Sequence, residues 1–205
     1  IDSDSRSSRI KSASILLQCS LHTVEEFGPD LIIYSGDRED ALVGALIGSY
    51  LGIPTIHFFG GDHATDGNVD NSVRHAISKL SSIHFVSHQS HVDRLLKIGE
   101  PKSRIFCIGS PALDKFIEEP LINKRELLER VGKSEWEDYA IVIFHPILGD
   151  EEGSIITFSK ILSTLRRMNI NAFVSYPNID AGNKEMIKII ENLKQDNSEK
   201  CFYFY

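Results

Sequence analysis

Short apolar runs alternate with longer stretches of helical spacing along most of this chain, and no other feature restricts its fold as strongly. The runs are rich in β-branched and aromatic residues, as buried strands are. Each run is followed by a stretch in which apolar residues recur at helical intervals. The predicted strands are Asp30–Ser35, Pro54–Phe59, Ile83–Ser87, Arg104–Ile108, Tyr139–Phe144 and Asn171–Tyr176, and the predicted helices are Asp40–Leu51, Asn71–Leu80, His88–Ile98, Lys124–Val131, Ser154–Met168 and Asn183–Gln195.

The predicted strands are nearly continuous in apolar character, which indicates parallel sheets covered on both faces by helices. The expected fold class is therefore α/β and doubly wound. The segment Glu118 to Lys133 holds Pro120 and a charged helix between two series of strands, so a domain boundary is expected there. Residues 1–118 are expected to form most of an N-terminal domain, and residues 119–205 the first part of a C-terminal domain.

Composition excludes several functional classes. A net charge of −7 without clustered Lys and Arg argues against nucleic-acid binding. No apolar run approaches the roughly 20 residues of a membrane span, and the polar N-terminus has no signal-peptide pattern, so a soluble cytoplasmic protein is expected. Cys19, Cys107 and Cys201 are widely separated, which predicts buried reduced thiols. His57 and His63 come closest to metal-ligand spacing but lack a ligand framework, so no metal is expected.

Polar residues and glycines gather where the predicted strands end. In open α/β sheets, ligands bind beyond the carboxyl ends of the strands, so these positions form the expected site. The strings at the strand ends are Gly36-Asp37-Arg38, Gly60-Gly61-Asp62-His63, Gly109-Ser110-Pro111, His145-Pro146 and Pro177-Asn178-Ile179-Asp180-Ala181-Gly182.

Each string has a chemical and a structural interpretation. Asp37 and Arg38 either contact a phosphate group at a helix N-terminus or form a helix cap with a surface ion pair. In the stretch from Gly60 to His75, Asp70 precedes Arg74 by about one helical turn. Carboxylates converging there can divide into acid and base, or the stretch is a solvated loop with Asp70 as helix cap.

The later strings allow the same two interpretations. His145 either contacts a diphosphate or is a satisfied histidine at a strand exit, and the loop from Pro177 offers Asn178, Asp180 and backbone amides to a nucleotide. The chain has neither a GxGxxG string nor a GxxxxGK[ST] string, so hydride transfer and ATP hydrolysis of the P-loop type lose support.

Taken in order, the strings resemble the sugar-nucleotide 2-epimerases. Pro29-Asp30-Leu31-Ile32 leads into Gly36-Asp37-Arg38, and Ile53-Pro54-Thr55-Ile56-His57 leads into Gly60-Gly61. The run from Asp70 to Leu80 (DNSVRHAISKL) is similar to a stretch typical of the hydrolysing UDP-N-acetylglucosamine 2-epimerases. His145-Pro146 and the run from Tyr176 to Met186 resemble the second domain of the same enzymes, including the epimerase half of the bifunctional animal epimerase/kinase.

The resemblance implies a fold of two Rossmann-like domains of the glycosyltransferase-B type that holds a UDP-sugar, with no metal or redox cofactor and with homo-oligomerisation through the N-terminal domain. It implies loss of the C2 proton, departure of UDP and addition of water to give N-acetylmannosamine. Asp37 and Asp70 match acid/base positions, and Asp62 is added to them as a third carboxylate. The residues expected to bind substrate are Arg38, His57, Arg74, His75, His145, Asn178 and Asp180.

Two departures from the family pattern keep alternatives open. Phe59 stands where the family often has an acidic residue, and Asp62 follows the glycine pair, where many members have Glu. The chain ends in the apolar run Cys201–Tyr205, which needs neighbours to cover it, so it is expected to be a piece of a longer protein and inactive alone. The alternatives are the same chemistry on UDP-N,N'-diacetylbacillosamine and a catalytically silent module that binds sugar nucleotides.

Overall fold

The computed structural model describes residues 6–64, 70–119, 121–147, 149–178, 180, 182–195 and 201–205. The chain divides into two compact units. The first unit is Arg9–Glu119, and the second is formed by the described residues of 121–205. Of the predicted features, Pro120, Ile179 and Ala181 lie outside the described residues, as does the middle of the loop after Gly61, residues 65–69.

The first unit is built on a sheet of four parallel strands in the order β1-β2-β3-β4. Helices connect the successive strands, as parallel pairing requires. Its strands are β1 (Ile32–Ser35), β2 (Thr55–Phe58), β3 (Ile83–Val86) and β4 (Ile105–Cys107), and its helices are α1 (Arg6–Phe27), α2 (Glu39–Leu51), α3 (Asp70–Leu80), α4 (Gln89–Lys97) and α5 (Asp114–Glu118), with short 3₁₀ turns at Lys102–Arg104 and Pro111–Leu113.

The two faces of this sheet differ. On one face, helix residues such as Ala45, Ile77 and Leu95 are fully buried. Close approach of α2 to β2 depends on Gly48, because a Cβ there would lie 2.3 Å from the side chain of Thr55. The other face carries a row of phenylalanines in edge-to-face contact, with ring centroids 5.1 and 5.7 Å apart along the row; its members are Phe58, Phe85 and Phe106.

The second unit has a sheet of three parallel strands in the order β5-β6-β7. Phe158 and Leu162 of α7 and Met186 and Ile190 of α8 are buried against one face. On the other face Phe173 packs edge-on against the ring of Trp136, with centroids 5.4 Å apart. The elements are α6 (Lys124–Arg130), β5 (Ala140–Val142), α7 (Glu151–Arg167), β6 (Ala172–Val174), α8 (Asn183–Gln195) and β7 (Phe202–Phe204).

The prediction of an α/β fold with parallel sheets is confirmed. The observed strands are shorter than predicted, since residues such as Phe144 and Tyr176 have already left the sheet. The prediction of buried cysteines is wrong for Cys19 and Cys107, which are exposed, because Cys19 lies on the outer surface of α1 and Cys107 ends the edge strand β4. No helix within the described ranges combines the length and the apolar character needed to cross a membrane.

Candidate active site

An ion pair joins the end of β1 to helix α3. Gly36 takes a left-handed conformation with φ of 80°, and the chain turns there from the strand into Asp37 and Arg38. The Asp37 carboxylate is paired with the Arg74 guanidinium, and the two side chains are only 16% and 11% exposed. Little solvent screens this pair, so the charges act strongly on each other and on their neighbours.

Arg74 also reaches the turn that follows β2. Its Nη1 lies 3.5 Å from Oδ2 of Asp62, whose side chain is 49% exposed. Because β1 and β2 are neighbouring parallel strands, their carboxyl ends meet at one edge of the sheet. The guanidinium therefore lies between two carboxylates that are 25 residues apart in sequence.

Asp70 opens α3 at the same edge. Burial raises the pKa of its carboxyl group, and the negative charge of Asp37 raises it further, while Arg9 and Arg38 act in the opposite direction. Nη2 of Arg9 lies 3.6 Å from Oδ1 of Asp70, and the same guanidinium is paired with Glu39. The net result is a carboxyl group that holds its proton more tightly than an ordinary aspartate does.

His57 lies behind this cluster and is fully buried. Its Nε2 lies 2.8 Å from the carbonyl oxygen of Gly36, and its Nδ1 lies 3.1 Å from the hydroxyl of Ser78. Burial lowers the pKa of His57 to about 4, so the ring is neutral at pH 7 and Nε2 donates to the Gly36 carbonyl. His57 was predicted to bind substrate; the geometry shows that it links the end of β1 to α3, with both ring nitrogens in hydrogen bonds.

Helix α4 fixes the turn that carries Asp62. Gly61 has φ of 73°, and a Cβ at this position would lie 2.4 Å from the carbonyl oxygen of His91. Arg94 donates from Nη1 to the carbonyl oxygen of Gly61 at 2.8 Å, and Nε2 of His91 lies 3.3 Å from Oδ1 of Asp62. Neither His91 nor Arg94 was among the predicted site residues, because both act through the packing of α4 onto Gly61.

His75 occupies the next position of α3. Burial lowers the pKa of its imidazole, and the nearby charges of His63, Arg74 and Arg94 lower it further. Its Nδ1 is buried and finds no hydrogen-bond partner among the residues described here. Asn71, on the same helix, holds the loop by two hydrogen bonds with the backbone of Ala64, of 2.9 and 2.7 Å.

The second unit brings its own predicted site residues together. Nδ1 of His145 accepts a hydrogen bond from the backbone amide of Asn178 at 3.1 Å. The Asn178 side chain donates to Oδ2 of Asp180 at 2.6 Å, and the Asp180 amide donates back to Oδ1 of Asn178 at 3.1 Å. Asn183 closes the loop by donating to the Asp180 carbonyl at 2.7 Å. Nδ1 of His145 is thus an acceptor in this set of bonds.

The structure thus gathers the predicted residues into two clusters. The site cluster of the first unit consists of Asp37, Asp62, Asp70 and Arg74, and the loop cluster of the second consists of His145, Asn178 and Asp180. Within the described part of the chain, no three His, Cys, Asp or Glu side chains lie close enough together to hold a metal ion.

Comparison with known proteins decides the family. A sequence model described as UDP-N-acetylglucosamine 2-epimerase matches residues 1–201. The chain belongs to the UDP-N-acetylglucosamine 2-epimerase family.

Among the curated relatives of this chain is a Campylobacter jejuni protein named GDP/UDP-N,N'-diacetylbacillosamine 2-epimerase (hydrolyzing). It is 32% identical over 204 residues, which cover 98% of this chain and 52% of the relative. A Neisseria meningitidis UDP-N-acetylglucosamine 2-epimerase is 34% identical over 180 residues, which cover 88% of this chain and 46% of the relative. The chain therefore spans about half the length of these 2-epimerases.

The solved structures agree on the fold. The UDP-GlcNAc 2-epimerase of Methanocaldococcus jannaschii, in complex with UDP-GlcNAc and UDP, matches with a TM-score of 0.70 at 20% identity. The match covers 94% of this chain and 54% of that one. The predicted fold of parallel-sheet units of the glycosyltransferase-B type is confirmed.

Proposed function

We propose that this chain forms the catalytic part of a hydrolysing 2-epimerase that converts UDP-GlcNAc and water to N-acetylmannosamine and UDP. The observation that carries the proposal is the site cluster, in which Arg74 lies between Asp37 and Asp62 beside Asp70. Membership of the 2-epimerase family supports the proposal.

The reaction needs groups that move protons at C2 of the sugar. A base removes the C2 proton, UDP leaves to give a glycal, and the addition of water returns a proton to C2 with inverted configuration. The cluster holds carboxyl groups in unequal surroundings, which is how related groups divide into acid and base. Asp37 is held in an ion pair, as suits a proton acceptor, whereas the raised pKa of Asp70 suits a proton donor.

Departure of UDP needs groups that stabilise the charge on the diphosphate. We assign this part to Arg38, the N-cap residue of α2 after β1. For the second unit, we propose that the loop cluster binds the nucleotide. His75 belongs to the same proposed site, with its unpaired Nδ1 facing away from solvent. His57 acts through the Gly36 carbonyl and Ser78, and so positions Asp37 and α3.

A second substrate has support of its own. The Campylobacter relative is named for UDP-N,N'-diacetylbacillosamine, a sugar that differs from GlcNAc in its substituents away from C2. The same acid/base groups serve either sugar, because the bonds that change are the same.

The experiment that tests the proposal uses the full-length protein with each of the two UDP-sugars in turn. UDP release is followed by a coupled assay, and the free sugar is identified by NMR. Release of UDP together with a 2-epimerised sugar supports the proposal, and the sugar with the higher kcat/KM is the substrate. Binding of UDP without release of any sugar contradicts the proposal and identifies a silent binding module.

Three further expectations accompany the proposed function. The product feeds the synthesis of sialic-acid-type sugars, the protein works in the cytoplasm, and it forms a homo-oligomer through the first unit. Light scattering of the full-length protein and of a variant altered on the exposed surface of that unit measures the last of these. A monomeric wild-type protein contradicts it.

A further inference from the structure

Asp62 is held by groups from two helices. Arg74 of α3 lies 3.5 Å from its Oδ2, and Nε2 of His91 of α4 lies 3.3 Å from its Oδ1. The backbone amide of His63 donates to the same Oδ1 at 2.7 Å. The carboxylate nevertheless remains 49% exposed, so it is held in place and is still accessible to a ligand.

His91 is the less exposed member of this pair. Its side chain is 14% exposed, and its backbone carbonyl lies so close to Gly61 that only glycine fits there. The hydrogen bond from Arg94 to the Gly61 carbonyl is a second contact that holds α4 against this turn. The geometry between α4 and Asp62 is therefore set by packing and does not depend on a flexible surface contact.

The surroundings of His91 determine which ring nitrogen carries the proton. Burial lowers the pKa of the imidazole, as do the charges of Arg94, His88 and Arg74, while Asp62 opposes them, so the ring is neutral at pH 7. Its Nδ1 is buried and has no hydrogen-bond partner in the described part of the chain, whereas Nε2 faces a carboxylate. The single proton therefore lies on Nε2, and Nδ1 is inaccessible to a substrate.

We propose that His91 is a positioning residue that donates from Nε2 to Asp62, and that Asp62 is the member of the pair that exchanges a proton with the UDP-sugar. The inference rests on the proposed function and adds a third carboxylate, with its own supporting histidine, to the acid/base groups Asp37 and Asp70. The proton that Asp62 takes up is returned or passed to solvent within the turnover, so the net reaction is unchanged.

The test uses the full-length enzyme and four variants: Asp62→Asn, His91→Phe, His91→Gln and the double variant Asp62→Asn/His91→Phe. We expect Asp62→Asn to lower kcat by about 10²-fold or more, and His91→Phe to lower it by about 10-fold through loss of a charge-assisted hydrogen bond. His91→Gln keeps a donor near the position of Nε2 and recovers most of the rate. The double variant is expected to be no slower than Asp62→Asn alone, because His91 acts through Asp62.

Rescue by the conservative variant separates positioning from a purely structural role. Asp62 is faced by Arg74, His91 and the His63 amide, so removal of the His91 donor leaves two of its three contacts in place. The loss in His91→Phe is therefore expected in kcat, with KM within about twofold of wild type, and His91→Gln restores kcat. The matched control is His22→Phe, at an exposed position of α1, which keeps the wild-type kcat and KM.

Two results overturn the inference while leaving the proposed function intact. One is a His91→Phe enzyme with the wild-type kcat, and the other is an additive loss of rate in the double variant. A wild-type enzyme that releases no UDP from either sugar overturns the proposed function itself. A ¹⁵N NMR comparison of the His91 ring in wild type and Asp62→Asn then still tests the bond, because an unchanged Nε2 chemical shift contradicts it.

Discussion

The two clusters at the strand ends differ in charge and in burial. In the first unit, the side chains of Asp37, Asp70 and Arg74 are 16%, 16% and 11% exposed and carry opposite charges. In the second unit, His145 is exposed and accepts a hydrogen bond from the amide of Asn178. Desolvated charges shift one another's pKa values, whereas exposed hydrogen-bonding groups mainly orient a ligand. In the proposed function, the site cluster of the first unit carries out proton transfer, and the loop cluster of the second unit binds the nucleotide.

The largest effect is expected from the carboxylates of the site cluster. Asp37→Asn and Asp70→Asn remove proton-accepting or proton-donating groups, so each is expected to lower kcat by about 10²- to 10⁴-fold. Steady-state UDP release by the full-length enzyme measures the loss. Asp40→Asn, at an exposed position of α2, is the matched control and is expected to stay within about twofold of wild type. If the Asp37 and Asp40 variants are equally active, the charged cluster is not the site of chemistry.

The next largest effect is the pH dependence of the free energy of unfolding, and it depends on His57. Its pKa is lowered from 6.5 to about 4, so the unfolded chain binds a proton in this range that the folded protein does not. The stabilisation is present above pH 6.5 and is lost as the pH falls to about 4, with a total of about 3 kcal/mol. Urea unfolding of wild type and of His57→Gln between pH 7 and pH 4 measures it.

The glutamine variant keeps a donor for the Gly36 carbonyl but does not titrate, so its unfolding free energy is expected to fall less steeply over the same range. His22→Gln, on the exposed surface of α1, serves as the control and keeps the wild-type slope. Equal slopes for wild type and His57→Gln mean that the imidazole is not buried and neutral.

The smallest effect is expected from the loop cluster. Asn178→Ala removes the side-chain bond to Asp180 and loosens the loop that begins at Pro177. A hydrogen bond to a carboxylate in a part-buried loop contributes about 1 to 2 kcal/mol, so KM is expected to rise about five- to thirtyfold while kcat changes by less than threefold. Asn192→Ala, at an exposed position of α8, is the control. If Asn178→Ala instead lowers kcat strongly and leaves KM unchanged, the loop cluster takes part in the chemical step. That result would contradict the proposed difference between the two clusters.

Much of the candidate site could be predicted from the sequence, because the carboxyl ends of neighbouring parallel strands lie at the same edge of the sheet. Asp37 follows β1 and Asp62 follows β2, so their approach to Arg74 required only the correct order of strands. The same reasoning brought His145 and Asn178 together after β5 and β6.

The remaining features of the site could not be predicted, because they depend on which face of a strand or helix each residue occupies. His57 stands in a run that is apolar on both sides, so alternation did not indicate that its ring points at the buried helices. His91 and Arg94 matter because α4 packs onto Gly61, a contact that no local pattern encodes. The exposure of Cys19 and Cys107 could not be predicted for the same reason. Their burial depends on where they lie in the fold and not on the apolar character of the neighbouring residues in sequence.

The most direct test of this division of labour is the incorporation of solvent deuterium at C2 of the product, measured by NMR in deuterated water with the full-length enzyme. The account predicts one deuterium at C2 for each turnover of wild type and of Asn178→Ala, whereas Asp37→Asn forms almost no deuterated product under the same conditions. Full deuterium incorporation at the wild-type rate by Asp37→Asn would contradict the claim that the charged cluster of the first unit moves the C2 proton.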